Sequence, residues 1–393
     1  MKILIYSEYF FPVIGGVQTF MDLLARGISE LNPPGLSSGS VPIEVTVATN
    51  AQRGEMDDSK LSYRVVRRPK FRELVRLIRE VDVVHVEGPC FLPISISWAM
   101  RKPYVVEHHV YQAICPEGLL FKQPSQTVCV GHFVKREYAE CLRCCTSSMG
   151  TARGIRSLLL AFPRRWLCER ASANVMVTNH VNARLQMPRS RTIYHGIDEI
   201  ESQFVQDGAC RAEATNFGYV GRLVAEKGLP LLVEAANHLA KNGRDFRLTF
   251  IGDGPERTRL EGLVNEYGLS KRVAFAGEMR GAELARVAGQ MAAVIMPSIW
   301  EETAGLAAIE QMMRGRLVIA ADIGGLGEIV DGVGLKFRAG DWRDLASAMQ
   351  RVIDEPSLVV SLGSVARTRA DLLFRREFMI KSQIDLFKEI IGQ

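Results

Sequence analysis

Two carboxylates, Glu302 and Glu310, lie with seven residues between them in the run Met296-Pro-Ser-Ile-Trp-Glu-Glu302-Thr303-Ala304-Gly305-Leu306-Ala-Ala-Ile-Glu310. On a helix that spacing is two turns, so both side chains face the same way near the helix N-terminus. The free N–H groups and the dipole there favour anionic ligand groups. The carboxylates themselves accept hydrogen bonds from hydroxyls, which is what recognition of a sugar or a ribose requires. The plainer reading is a helix-start acid followed by a solvated acid. Gly305, a poor helix former expected inside the first turn, favours a close approach of backbone to a ligand.

Two cations stand five positions apart in Gly221-Arg222-Leu-Val-Ala-Glu-Lys227-Gly228. A diphosphate needs such neutralisation, with arginine giving forked donors and lysine a movable point charge. Two surface cations at a turn would look the same. Ile251-Gly-Asp-Gly-Pro255 is a tight turn opening a helix, and it lacks the three-glycine spacing of a dinucleotide fingerprint. Near the chain start, Gly15-Gly16 closes the loop after a strand and opens a helix, either as an anion cradle or as an ordinary tight turn. His109 follows the strand 104–107 and is expected to point into a cleft, where it could position a hydroxyl or stabilise charge. One of the pair His108 and His109 is expected to be a structural bystander. Cys115, Cys129, Cys141 and Cys144, with Cys145 beside them, cluster just after His109. Their number and the Cys-x-x-Cys spacing suit a structural zinc in an otherwise coil-like insertion, or else a set of reduced thiols.

The elements that must hold these residues alternate. Apolar runs at 2–6, 44–49, 82–86, 104–107 and 174–178 read as strands separated by helical patterns. The helix after Gly16 carries Val17, Phe20, Met21, Leu24, Ile28 and Leu31 at helical spacing. Residues 32–42, rich in Pro, Gly and Ser, read as a loop, and 198–216 as the linker. The pattern restarts with strand-like runs at 217–221, 246–252, 273–277, 293–298 and 317–322, each ending in Gly, Ser or Asp. Strand–helix alternation of this kind predicts parallel sheets covered on both faces. Ligands of doubly wound sheets bind beyond the carboxyl ends of the strands, and the motifs above collect there.

Composition agrees with a folded chain of two domains: 393 residues, 47% hydrophobic, 24% charged and a net charge of +5. No apolar run is long enough to span a bilayer, and the first residues lack the features of a secretory signal, so a cytoplasmic location is expected. Basic residues concentrate at 64–79 and again at Arg153, Arg156, Arg164, Arg165 and Arg170, around the apolar run 157–162. They read either as a docking face for an anionic membrane surface or as solvated faces of helices over a sheet. No nucleic-acid partner is expected, because no recognition motif accompanies the charge.

Taken together these motifs resemble family 4 of the retaining GT-B glycosyltransferases, most strongly from 217 to 322. The resemblance implies an α/β fold of two Rossmann-like doubly wound domains facing across a cleft. Residues 1–200 would form the acceptor-side domain with a Cys-rich insertion at 115–145, 211–375 the nucleotide-sugar-binding domain, and 376–393 a last helix packing back on the first. It implies transfer of a sugar from a nucleotide-diphosphate-sugar to a glycan or lipid-linked acceptor, with no cofactor needed for catalysis. Arg222 and Lys227 would bind the diphosphate and stabilise the leaving group, and Glu310 would hold the ribose hydroxyls. Glu302, with Thr303, Ala304, Gly305 and Leu306, would hold the transferred sugar. His109 would lie near the reacting sugar, Gly15 and Gly16 would form the family's N-terminal loop, and the backbone near Val273 would meet the base. Two departures stand out. Thr303-Ala304 replaces the family's Gly-Phe, and Val110 replaces the Asp that often follows the histidine, so His109 must be held differently. A nucleotide-sugar epimerase of the same fold and a non-catalytic nucleotide-sugar-binding partner are the alternatives. A dinucleotide oxidoreductase is disfavoured by the missing glycine fingerprint.

Overall fold

The computed structural model describes residues 1–12, 15–31, 42–54, 57–122, 125–199 and 215–392. Most of the expected loop at 32–42 and of the linker at 198–216 lies outside the described residues. The chain divides into two compact units. The first comprises Met1–Pro124, Cys129–Asp198 and Arg375–Gln393, and the second Ser125–Val128 and Glu199–Phe374.

The first unit is built on a seven-stranded parallel sheet. Its strands are β1 (Lys2–Ser7), β2 (Glu44–Thr49), β3 (Arg64–Arg67), β4 (Val83–Glu87), β5 (Tyr104–His108), β6 (Ala173–Met176) and β7 (Ser190–Thr192). Their order is β3-β2-β1-β4-β5-β6-β7. The inner strands are nearly continuous apolar runs because helices cover both faces. Ile3, Ile5, Val83, Val105 and Val175 enter one core with Phe20, Leu24 and Ile28 of the helix Gly16–Glu30. The last helix, Arg376–Ile391, adds Met379, Ile380, Ile384, Leu386 and Phe387 to that core. Gly27 permits its approach: a Cβ there would lie 2.0 Å from Ile380 Cδ1.

The second unit has strands β8 (Asn216–Val220), β9 (Arg247–Ile251), β10 (Val273–Gly277), β11 (Ala293–Met296), β12 (Leu317–Ala321) and β13 (Leu335–Phe337). The order β10-β9-β8-β11-β12-β13, all parallel, is the doubly wound arrangement that reverses direction between β8 and β11. Its core joins Phe217, Leu248, Phe250, Ile295 and Ile319 to Leu232, Leu239, Leu345 and Met349 of the covering helices.

Two local expectations give way, and two short strands join those expected. The basic run at 64–79 is not wholly a solvated helix face, because its first residues form β3. There Arg67 is nearly buried, bonded to both oxygens of Asp58 at 2.7 and 2.8 Å and to the carbonyls of Phe11 and Gln52. The strands β7 and β13, three residues each, are too short to show a period. The cysteine insertion is not coil throughout: Tyr138–Met149 is a helix, since burial of Cys141 against Phe133 and Ala161 gives it an apolar face.

Candidate functional site

In the second unit the loops after adjacent strands are tied to one another through the backbone. Gly221 N–H donates to Ile251 O at 3.0 Å, Gly252 N–H to Gly277 O at 2.7 Å, and Leu223 N–H to Asp253 O at 2.9 Å. A Cβ on Gly252 would lie 1.9 Å from Gly221 O, so the close approach of these two loops requires glycine there. On the other side of β8, Ile299 N–H donates to Glu226 O at 3.0 Å, and Gly228, at φ +64°, packs its α-carbon against Pro297 O.

That bracing brings the expected residues of β8 and β11 together. Lys227 Nζ lies 2.7 Å from Glu302 Oε1, and Ser298 Oγ donates to the same oxygen. Tyr219, buried beneath, donates its hydroxyl to the carbonyl of Arg222 at 2.7 Å. Burial, and then the charge of Glu302, pushes the Tyr219 hydroxyl far above its ordinary range. The Arg222 guanidinium is exposed and makes no ion pair among the described residues. Thr303 and Ala304 are buried beside Glu302. The result is one fixed carboxylate–ammonium pair, one unengaged guanidinium and the carboxylate of Glu310, all near the carboxyl edge of one sheet.

The geometry corrects the reading of the two acids. Glu302 is not on the helix. The helix is Leu306–Met313, and Gly305 precedes it as cap at φ +64°, accepting from Ala308 N–H at 2.8 Å. Gly305 is therefore fixed by its left-handed backbone rather than as a misfit inside the first turn. Glu310 does lie on the helix, half-buried, and its carboxylate accepts no hydrogen bond among the described residues. Burial raises its pKa, and Arg314 opposes the rise. Val273 is set apart from the group. It begins β10, paired with Leu248 at the opposite edge of the parallel sheet, and its side chain is buried in the core. The strand-end rule points instead to Gly277 and the residues after it.

Gly324, which sequence reasoning passed over, holds Glu302 from behind. It sits at φ +63°, and a Cβ there would lie 2.6 Å from Glu302 O and 2.7 Å from Glu302 N. Gly325 N–H donates to Glu302 O at 2.6 Å. The signal was present in Ile323-Gly324-Gly325-Leu326, two glycines directly after a strand.

In the first unit Gly15 caps the helix Gly16–Glu30 from an extended conformation, its carbonyl accepting from Thr19 N–H at 3.0 Å. His109, expected to point into a cleft, is 7% exposed. Its Nε2 meets Glu87 Oε2 at the end of β4, and its Nδ1 lies 3.1 Å from His195 Nε2. His85 completes the network, 3.0 Å from Glu87 and 3.2 Å from Glu107, while Gln383 of the last helix donates to Glu107 at 2.8 Å. Burial acts against charge on His85, yet Glu87 and Glu107 outweigh it and raise the imidazole to about 10. Burial would raise Glu87, but His109 and His85 hold it down to about 2. Burial and the Glu87 charge push Glu107 up. His109 is raised by Glu87 and Glu107 against the cost of burial, and His195 is driven well down by burial and by His109. His108 is the bystander: fully buried, bonded to Asn174 Oδ1 at 2.9 Å, and lowered to about 4 by burial.

Among the described residues, the groups whose ligand atoms come within 4.8 Å of one another are Glu107, His109, His195 and His85, Glu87, Glu107. The cysteines make no such group, although the thiol of Cys141 feels the charges of Cys115, Cys129 and Cys144. Burial is the main reason that Cys115 is pushed up to about 11 and Cys141 to about 12. Cys115 Sγ accepts from Gly118 N–H at 3.3 Å.

Known proteins resemble the chain in two ways. By sequence, it is 38% identical over 146 residues to a 2-deoxystreptamine glucosyltransferase of Streptomyces kanamyceticus, covering 37% of this chain and 38% of that protein. It is 35% identical over 142 residues to an alpha-D-kanosaminyltransferase of the same organism, covering 36% of each. Each match thus spans well under two thirds of the relative's own length. By structure, a sucrose-phosphate synthase from Thermosynechococcus elongatus superposes with a TM-score of 0.74 at 21% identity, covering 100% of this chain and 99% of that one. Anabaena Alr3699/HepE, in complex with UDP-glucose, does so at 0.73 and 18%, covering 99% and 100%. The chain has the parallel, two-domain α/β fold of these GT-B structures, and its residues 205–369 match the model of the family glycosyl transferases group 1.

Proposed function

We propose that the protein is a retaining, GT-B-type glycosyltransferase that moves a hexose from a nucleoside diphosphate sugar to an acceptor hydroxyl. The observation that carries this reading is the set formed by Arg222, the Lys227–Glu302 pair and Glu310 at one sheet edge, inside the stretch that matches the family model. Arg222 and Lys227 would hold the diphosphate, Glu310 the ribose, and Glu302 with its neighbours the transferred sugar. The C1–O bond to the diphosphate breaks through an oxocarbenium-like state while the two cations stabilise the charge growing on the leaving phosphate. The acceptor oxygen bonds to C1 from the same face and gives its proton to the departing phosphate oxygen. The products are a glycoside and a nucleoside diphosphate, formed without a catalytic metal. Gly15 and Gly16 are proposed to frame the donor phosphates, and His109 to stabilise charge at the reacting sugar.

A lipid-linked or polysaccharide precursor is the proposed acceptor, and the enzyme is proposed to be cytoplasmic and peripherally membrane-bound. What supports this is Ile155, Leu159, Phe162 and Trp166 exposed among arginines on the helix Thr151–Cys168. No helix among the described residues is long and apolar enough to cross a membrane.

A thermal-shift screen across nucleoside diphosphate sugars tests donor binding, since a ligand well above its Kd stabilises the fold measurably. Product analysis with the donor that binds then separates the alternatives: epimerised donor without acceptor means an epimerase. No shift with any donor would end the transferase reading. Replacement of Arg222 by Gln, with Lys227 retained, is expected to lower kcat by about two to three orders of magnitude, as loss of a preorganised charge-stabilising donor does.

Cys115, Cys129, Cys141 and Cys144 are proposed to hold a structural zinc, supported by their number and the Cys141-x-x-Cys144 spacing. Bound there, the metal would brace the insertion and take no part in the transfer. Elemental analysis of the purified protein is expected to find about one equivalent of zinc, and less than about a tenth would end the idea.

A further inference from the structure

A cavity of about 540 Å³ lies within the first unit, beyond the carboxyl ends of its central strands. Its floor is Glu8 after β1 together with Pro89 and Cys90 after β4, and one wall is the helix Thr151–Cys168. That helix turns Arg153, Arg156 and Arg164 onto a single face, since spacings of about one turn and about two turns return to the same side. Three guanidinium groups therefore face one carboxylate, that of Glu8. None of the three makes a hydrogen bond or an ion pair among the described residues. Arg164 is the informative one: it is half-buried, and its Nε is fully buried with no hydrogen-bond partner. A half-buried guanidinium with no ion pair is costly, and an anion in the cavity that Arg164 lines would offset its charge. Another part of the lining adds a second, independent feature. The helix Phe91–Ala99 starts there with no side-chain cap from Cys90, which leaves its first N–H groups and the positive end of its dipole at the cavity.

The geometry points to this cavity as a binding site for a phosphate-bearing ligand, and it assigns the acceptor of the transferase a phosphate monoester or diester, with Arg153, Arg156 and Arg164 as its phosphate-binding residues. The assignment deepens the proposed transferase reading and rests on it, since the cavity occupies the unit that does not carry the Arg222, Lys227 and Glu302 set. Phe91, Leu92 and Leu160 line the same cavity, so the part of the ligand next to the phosphate meets apolar surface. A soluble phosphate ester and a lipid headgroup offer the same chemistry, and the two sources are separable by experiment.

The test uses the full chain and two variants, R153Q/R156Q, both positions being exposed, and R164Q. Glycerol 3-phosphate is titrated against glycerol at constant ionic strength, and vesicles of phosphatidylglycerol in phosphatidylcholine are compared with phosphatidylcholine alone by flotation. Binding of glycerol 3-phosphate by the parent, weakened about tenfold or more in both variants, is the result expected for a soluble ester. Flotation with phosphatidylglycerol that is lost in both variants supports the same site with a lipid headgroup. Equal behaviour of parent and variants towards both probes, or no binding of either, overturns the assignment. The melting shift given by a nucleoside diphosphate sugar is recorded on the same three proteins. Its absence from the parent counts against the transferase reading, and its retention in the variants shows that they are folded.

Discussion

Glu310 is a carboxylate on which stability and binding pull in opposite directions. Burial raises its pKa, and Arg314 offsets only part of that. A carboxyl with a raised pKa makes the folded chain hold its proton more tightly than the unfolded chain does. The stability this contributes is fully present below the ordinary carboxylate value and is lost as pH rises through the folded pKa. At neutral pH the charged Glu310 therefore costs stability, while the proposed ribose contact needs it charged. Replacing Glu310 with Gln is expected to raise Tm at neutral pH and to weaken donor binding by about tenfold, the worth of a hydrogen bond to a charged acceptor. In the parent, donor affinity should fall as pH drops through a range lying above that of ordinary carboxylates, and in the variant this dependence should flatten. Titrations of donor binding against pH on both proteins check the two signs together. If the variant melts lower at neutral pH, the cost assigned to the buried charge is wrong.

At the scale of elements, the loop carrying Glu302 owes its position to the turn that begins the helix Gly324–Val330. Gly324 is needed there twice, for its left-handed backbone and for the space against Glu302 N and O. Replacing it with Ala is expected to cost about 1–2 kcal/mol for the backbone conformation and roughly 1–3 kcal/mol more for overpacking. Because the clash is with the backbone of Glu302, donor binding should fall as well, whereas Ala at the exposed Gly262 should leave binding unchanged. Denaturant melts and donor titrations of the two variants distinguish displacement of Glu302 from a general loss of stability. This coupling explains which part of the site was legible in advance. Gly221, Arg222, Lys227, Glu302 and Glu310 stand in local runs whose strand-end placement follows from hydrophobic pattern alone. The support beneath them comes from residues distant in sequence, such as Gly324 behind Glu302, and no periodicity links the two. Val273 stands at the start of β10 and not at its carboxyl end, and Glu302 stands before the helix because Gly305 is its cap. The network around His109 was hidden for a related reason. The departure at Val110 implied another support for the imidazole, but Glu87 and His195 become neighbours only once β4, β5 and the segment after β7 are assembled.

At the scale of the whole molecule, the alternation of apolar runs revealed two parallel sheets, while β3 was concealed by its arginines and β7 and β13 by their brevity. The path of the chain has an energetic consequence that no motif announces. After the second unit it returns to the first, where Arg376 bonds to Asp198 and Glu30, and Met379, Ile380, Ile384, Leu386 and Phe387 enter the core. Each such side chain contributes about 1.5–3 kcal/mol on burial, so the helix carries a large share of a net stability that is typically about 5–15 kcal/mol for a domain. Gln383 also supplies a hydrogen bond to the fully buried Glu107, and its loss removes one of two partners of that oxygen, leaving only His85 at 3.2 Å. Ending the chain at Phe374 is therefore expected to abolish cooperative melting of the first unit. The second unit, whose core contains no residue after 374, should keep its own transition and its shift with a nucleoside diphosphate sugar. Hydrogen exchange read peptide by peptide would show fast exchange in β1, β4 and β5 and retained protection in β8, β9 and β11. Protection lost equally in both sets would mean that the two units fold as one cooperative body.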